Sequence, residues 1–156
     1  MPITPSTPEE MALRYEALRR HFESGATRAY AARRDALKSL GKALREHETE
    51  VLEAMHVDMR KPTFEAYMSE LGLVHAEIRN TLKHLKEWMR PERVSTPLAL
   101  QVAESFIHRA PLGVVLIIGP WNYPAQLILA PLIGAIAAGN CALVKPSNEA
   151  PRTAAV

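Results

Sequence analysis

A chain of 156 residues with 19 Lys and Arg against 17 Asp and Glu, 47% of it hydrophobic, has the balance of an ordinary globular protein with a real core. Its near-neutral charge of +2 does not support a nucleic-acid binder, which would concentrate a basic face. A single cysteine excludes an internal disulfide framework and suits a reducing compartment. Met1 to Glu10 lacks the basic flank and apolar run of a signal peptide, so the cytoplasm is the expected location.

Charges are interleaved from Pro8 to Arg109, and this half reads as helices. Thr7 is placed to N-cap the first, with Pro8 at the first helical position, Glu9 and Glu10 in the first turn, and Gly25 closing it. A second helix covers roughly 28–47, with Leu37, Leu40 and Leu44 on one face. A third runs over about 48–60 and presents Val51, Leu52, Met55 and Met59. The fourth is the longest: Phe64, Tyr67, Leu71, Val74, Ile78, Leu82, Leu85 and Met89 form one apolar stripe that Pro91 stops. Glu65, Glu70, Glu77, Lys83, Lys86 and Glu87 fall off that stripe and are expected in solvent. None of the six histidines falls in a metal-ligand spacing, and no metal is expected.

Between Ala110 and Val144 there is no charge at all, and the period changes. Residues 100–108 read as a half-exposed strand. Leu112 to Ile118 is a short β-branched run, as in a fully buried parallel strand. Gly119 to Pro124 form a loop; Pro124 opens a helix to Ala138, Gly139 ends it, and Cys141 to Val144 is a second buried strand. Ser147 is placed to cap a further helix. Strand, helix and strand within roughly 33 residues make a right-handed βαβ unit, whose loop after the first strand and residues after the second share the carboxyl edge where α/β sheets bind ligands. Two buried parallel strands do not finish a sheet, so more chain is expected beyond Val156. A membrane hairpin is disfavoured, because the uncharged helix falls short of the roughly 20 residues a span needs and prolines interrupt it.

Asn122 is the sharpest candidate for chemistry: an amide on a proline-pinned loop can donate where negative charge develops on an oxygen, or it can simply tie its own loop together. Lys145, the one charge between Arg109 and Glu149, can bond a ribose or phosphate, or merely reach water. Trp121 can wall a pocket or plug the sheet edge. Cys141 lies inside a strand with no base or cation to activate it, and reads as a structural thiol. No GxGxxG is present, and the loop in its place carries two prolines without N–H groups, so a nucleotide would be held in another way.

The stretch APLGVVLIIGPWNYPAQLILAPLIGAIAAGNCALVKPS, with GPWNYP, AAGN and KPS at these separations, closely resembles the aldehyde dehydrogenase superfamily. The short N-terminal arm and the wording of GPWNYP favour its class 3 branch of fatty, aromatic and coniferyl aldehyde dehydrogenases. The resemblance implies an α/β fold in which N-terminal helices (1–95) precede the first βαβ unit of an incomplete Rossmann-like cofactor-binding domain (96–156), with the catalytic domain absent. It implies that Asn122 supplies one oxyanion donor, that Ile118, Gly119, Pro120 and Trp121 pass along the cofactor, and that Lys145 bonds the adenosine ribose, with Ser147 and Asn148 in the same segment. The cofactor is NAD or NADP, the substrate an aldehyde oxidised to an acid, and the complete protein a homodimer. The family often has Glu where this chain has Asn148, which removes a repulsion toward a 2′-phosphate. The nucleophilic cysteine, the general-base glutamate and the glycine motif under the pyrophosphate lie beyond this segment, so the alternative is a non-catalytic fragment or gene remnant of the same family.

Overall fold

In a computed structural model of the chain, residues 6–156 are described; Met1 to Pro5, half of the stretch read as leader-free, lie outside them. Helix α1 (Pro8–Glu23) starts as its sequence demands. Thr7 Oγ1 accepts from the Glu10 N–H at 3.2 Å, and Glu10 Oε2 accepts from the Thr7 N–H at 3.0 Å, a reciprocal capping box. Gly25, at φ +77°, takes the left-handed turn after it. Helices α2 (Tyr30–Glu46) and α3 (Glu48–Met59) bury Leu37, Leu44, Val51, Leu52 and Met55 in one core.

The fourth helix is two. A short α4 (Thr63–Ala66) leads through a π-helical turn (Tyr67–Leu71) into α5 (Gly72–Trp88), where the Gly72 N–H reaches back to the Tyr67 carbonyl. A π turn holds one residue more than an α turn, so the buried face ahead of it slips by one. The stripe holds from Leu71 through Val74, Ile78 and Leu85, but upstream of it Ala66 is buried while Phe64 (78%) and Tyr67 (39%) are exposed. The same slip brings Glu70 inside, fully buried, correcting the expectation that it is solvated. Glu65, Glu77, Lys83, Lys86 and Glu87 are exposed.

The strand expected over residues 100–108 is mostly something else. Leu98–Leu100 is a 3-10 turn, and only β2 (Ser105–Ile107) is a strand; it pairs antiparallel with β1 (Glu92–Val94), which the sequence did not announce. Then β3 (Val114–Ile118), α6 (Gln126–Ala138) and β4 (Cys141–Lys145) form the expected βαβ unit. The strands run parallel, Val114 opposite Cys141 and Ile118 opposite Lys145. They are not fully buried: Ile117 is enclosed, but Leu116 (59%) and Ile118 (63%) are exposed, because among the described residues only α1 and α6 pack on this pair. The last helix, α7 (Pro151–Ala155), starts later than a Ser147 cap would have it. Ser147 Oγ instead accepts from the Glu149 N–H, while Asp58 at the end of α3 receives the N–H groups of Arg152 and Thr153.

Helix α6 joins the two halves. Ala125 and Ile133 belong to the same core as α2, α3 and α5. Both its ends are held by charges from the helical half, each of the sign its dipole favours. Glu70 accepts from backbone N–H groups at the N-terminus, and Arg33 donates to the Ala137 carbonyl at the C-terminus, 3.0 Å away. Gly139 follows at φ +86°, where a Cβ would strike the Arg33 guanidinium. No helix among the described residues is long and apolar enough to cross a membrane.

Candidate functional site

Parallel pairing puts the 119–124 loop and the residues after Lys145 at one edge, as expected. The Gly119 N–H donates to the Lys145 carbonyl at 3.0 Å, extending the ladder one step past the strands and binding the two segments together. Gly119 is buried against α6: a Cβ there would overlap Ile128 Cγ1 outright and lie 2.5 Å from Cδ1. Only a residue without a side chain lets the loop start this close to the helix that follows it.

Beyond Gly119 the loop turns outward. Pro120, Trp121 and Asn122 are exposed, Trp121 by 58%. The Asn122 side chain bonds nothing among the described residues; its backbone carbonyl accepts from Lys61 Nζ at 3.4 Å. The amide therefore does not tie its own loop. Lys61 and Glu70 hold that loop, and neither was singled out in the sequence. Glu70 Oε2 accepts from the N–H groups of Ala125 (2.9 Å) and Gln126 (3.2 Å), while Oε1 lies 2.6 Å from Lys61 Nζ. That ammonium also sits 4.2 Å from the centroid of the Tyr123 ring. No local pattern announces this pair: Glu70 lies in the π turn and Lys61 in the linker ahead of α4.

On the second strand Lys145 is exposed, and its ammonium meets only the neighbouring Pro146 carbonyl, at 3.3 Å. Asn148 is exposed beside it. Ile118 is exposed opposite Lys145, and Ser147 lines an apolar cleft of about 280 Å³ with Leu44, Ile128, Val144 and Pro146. Cys141 is buried at the other end of β4, and burial pushes its thiol pKa up, the opposite of what a nucleophile needs. Among the described residues no three His, Cys, Asp or Glu side chains converge as a metal site would require.

The profile of the Aldehyde dehydrogenase family matches residues 2–156. The chain belongs to the aldehyde dehydrogenase family. Within it, the segment is 45% identical over 133 residues to aldehyde dehydrogenase family 3 member B1 of Mus musculus, covering 85% of this chain and 28% of that one. Among solved structures it superposes on a substrate-bound AldH of Staphylococcus aureus with a TM-score of 0.91 at 41% identity, covering 93% of this chain and 32% of that one. A betaine aldehyde dehydrogenase of the same species, solved with NAD+, gives a TM-score of 0.84 at 27% identity, with 97% and 30% covered. The chain thus spans less than a third of the length of each of these aldehyde dehydrogenases.

Proposed function

We propose that this aldehyde dehydrogenase segment supplies one half of the oxyanion site and part of the cofactor cradle of an NAD(P)-dependent enzyme that oxidises aldehydes to carboxylic acids. The observation that carries the reading is the free Asn122 amide, held on an anchored loop at the carboxyl edge and joined to Lys145 through the Gly119–Lys145 hydrogen bond. A preset N–H donor with no protein partner is what stabilises an oxygen that gains charge as a carbonyl is attacked. A cysteine thiolate outside this segment makes that attack, and the Asn122 Nδ2–H group donates to the oxygen of the tetrahedral adduct.

The residues at the rim fit a dinucleotide. Lys145 has donors left for ribose hydroxyls, Asn148 adds an exposed amide, and Ile118 to Trp121 give the wall along which the cofactor passes. When bound, the nicotinamide supplies the hydride acceptor, and this chain's residues only orient it. On the same reading, residues 96–156 begin the cofactor domain, and the complete protein is a cytoplasmic homodimer. In the full-length protein, Asn122→Ala lowers kcat by about 10²–10³ while the cofactor Kd stays within a few-fold. A kcat within a few-fold of wild type would overturn the assignment.

The buried Cys141 favours a second statement: the 156-residue segment by itself is inactive, since its one thiol is enclosed and unactivated. NAD(P)H formation with several aldehydes tests this. Turnover by the segment that disappears in Cys141→Ser would refute it.

A further inference from the structure

The N-terminus of a helix exposes unbonded N–H groups and a partial positive charge, and in dinucleotide-binding βαβ units the pyrophosphate usually sits there. In the β3–α6–β4 unit that place is taken from within. Glu70, fully buried, puts one carboxylate oxygen on the N–H groups of Ala125 and Gln126, and Lys61 neutralises the other oxygen from 2.6 Å. The same ammonium continues to the Asn122 carbonyl and the Tyr123 ring. One ion pair from the α3–α5 corner thus grips the loop at the Asn122 carbonyl and the Tyr123 ring, and again at the N–H groups of Ala125 and Gln126, on either side of Pro124.

Stability alone does not account for such a pair, because two buried charges cost desolvation that an apolar pair of the same volume avoids. We propose that Lys61 and Glu70 are positioning residues for Asn122: an internal anion and cation that fill the α6 N-terminus where a ligand phosphate would otherwise bind, and so set the loop that carries the oxyanion donor. This rests on the reading of Asn122 given above. It assigns the N-terminal helices a direct part in the geometry of the site.

The test uses the full-length protein with Lys61→Met/Glu70→Gln, which removes both charges, keeps the volume and leaves an acceptor for the two amides. Hydrogen exchange over residues 119–126, thermal melting, kcat and cofactor Kd are read together. The expected result is a melting temperature near wild type, loop exchange at least tenfold faster, kcat at least tenfold lower and Kd within twofold. In an Asn122→Ala background the double substitution lowers kcat no further. Lys61→Gln, which leaves Glu70 on α6 without its counter-charge, lowers the melting temperature but gives the same loop-exchange, kcat and Kd changes, and it serves if the double variant folds poorly. Retained loop protection with unchanged kcat overturns the proposal, as does a kcat loss that adds to that of Asn122→Ala. A loosened loop alongside a silent Asn122→Ala overturns the oxyanion reading while supporting the anchor.

Discussion

Replacing Gly119 by alanine perturbs the site at the point where β3 gives way to the loop. The added methyl would overlap Ile128 Cγ1 and lie 2.5 Å from Cδ1, against an ordinary carbon contact of about 3.5–4.0 Å. Ile128 is buried, with Leu44 and Val51 around the cleft it lines, so it has little room to turn away. Overpacking of this kind costs about 1–3 kcal/mol, and the alternative, a loop lifted off α6, breaks the Gly119–Lys145 hydrogen bond that joins the two halves of the rim. Gly119→Ala should therefore lower both the melting temperature and kcat of the full-length protein. Ile128→Ala removes the clashing atoms and by itself costs about 2–5 kcal/mol through the cavity it leaves. Combined, the two should cost less than their sum by about 1–3 kcal/mol, since the new methyl then occupies space already vacated. Thermal melts of the four proteins close the cycle. Strict additivity would mean that Gly119 is required for some reason other than Ile128.

Three further outcomes are expected. Burial raises the Cys141 pKa, so the folded chain keeps a proton that the unfolded chain loses: stability is unaffected below the ordinary thiol range and falls as pH rises through it. Native Cys141 should react with iodoacetamide at pH 8 at least tenfold more slowly than in denaturant, and equal rates would refute its enclosure. Asp58→Ala removes the acceptor for the Arg152 and Thr153 N–H groups and the Thr153 hydroxyl, and should destabilise by about 1–2 kcal/mol, the usual worth of an N-cap. An unchanged melting temperature would show that α7 does not depend on it. Asn148→Glu should worsen kcat/KM for NADP far more than for NAD, because a carboxylate repels the 2′-phosphate; equal effects would show that residue 148 does not face the ribose.

What the sequence determined by itself was local or carried by motif. The capping box at Thr7 and Glu10, the helix boundaries near Gly25, His47 and Gly139, and the βαβ unit all follow from residue types at short range. The shared edge of Asn122 and Lys145 follows from parallel pairing alone, and GPWNYP, AAGN and KPS pointed to the family that the match over residues 2–156 then showed. Tertiary structure decided whatever depended on which surfaces meet. Extrapolating a 3.6-residue period through residues 64–89 assumes an unbroken α-helix. The π turn at Tyr67–Leu71 adds a residue to that count, and it turned Phe64 and Tyr67 out and Glu70 in. The same limit applies to Leu116 and Ile118, whose apolar character forecasts burial without stating what covers them. Asp58 and Glu70 cap helices 94 and 55 residues away, and a charge chosen to satisfy a distant helix end looks, along the chain, like any other solvated carboxylate.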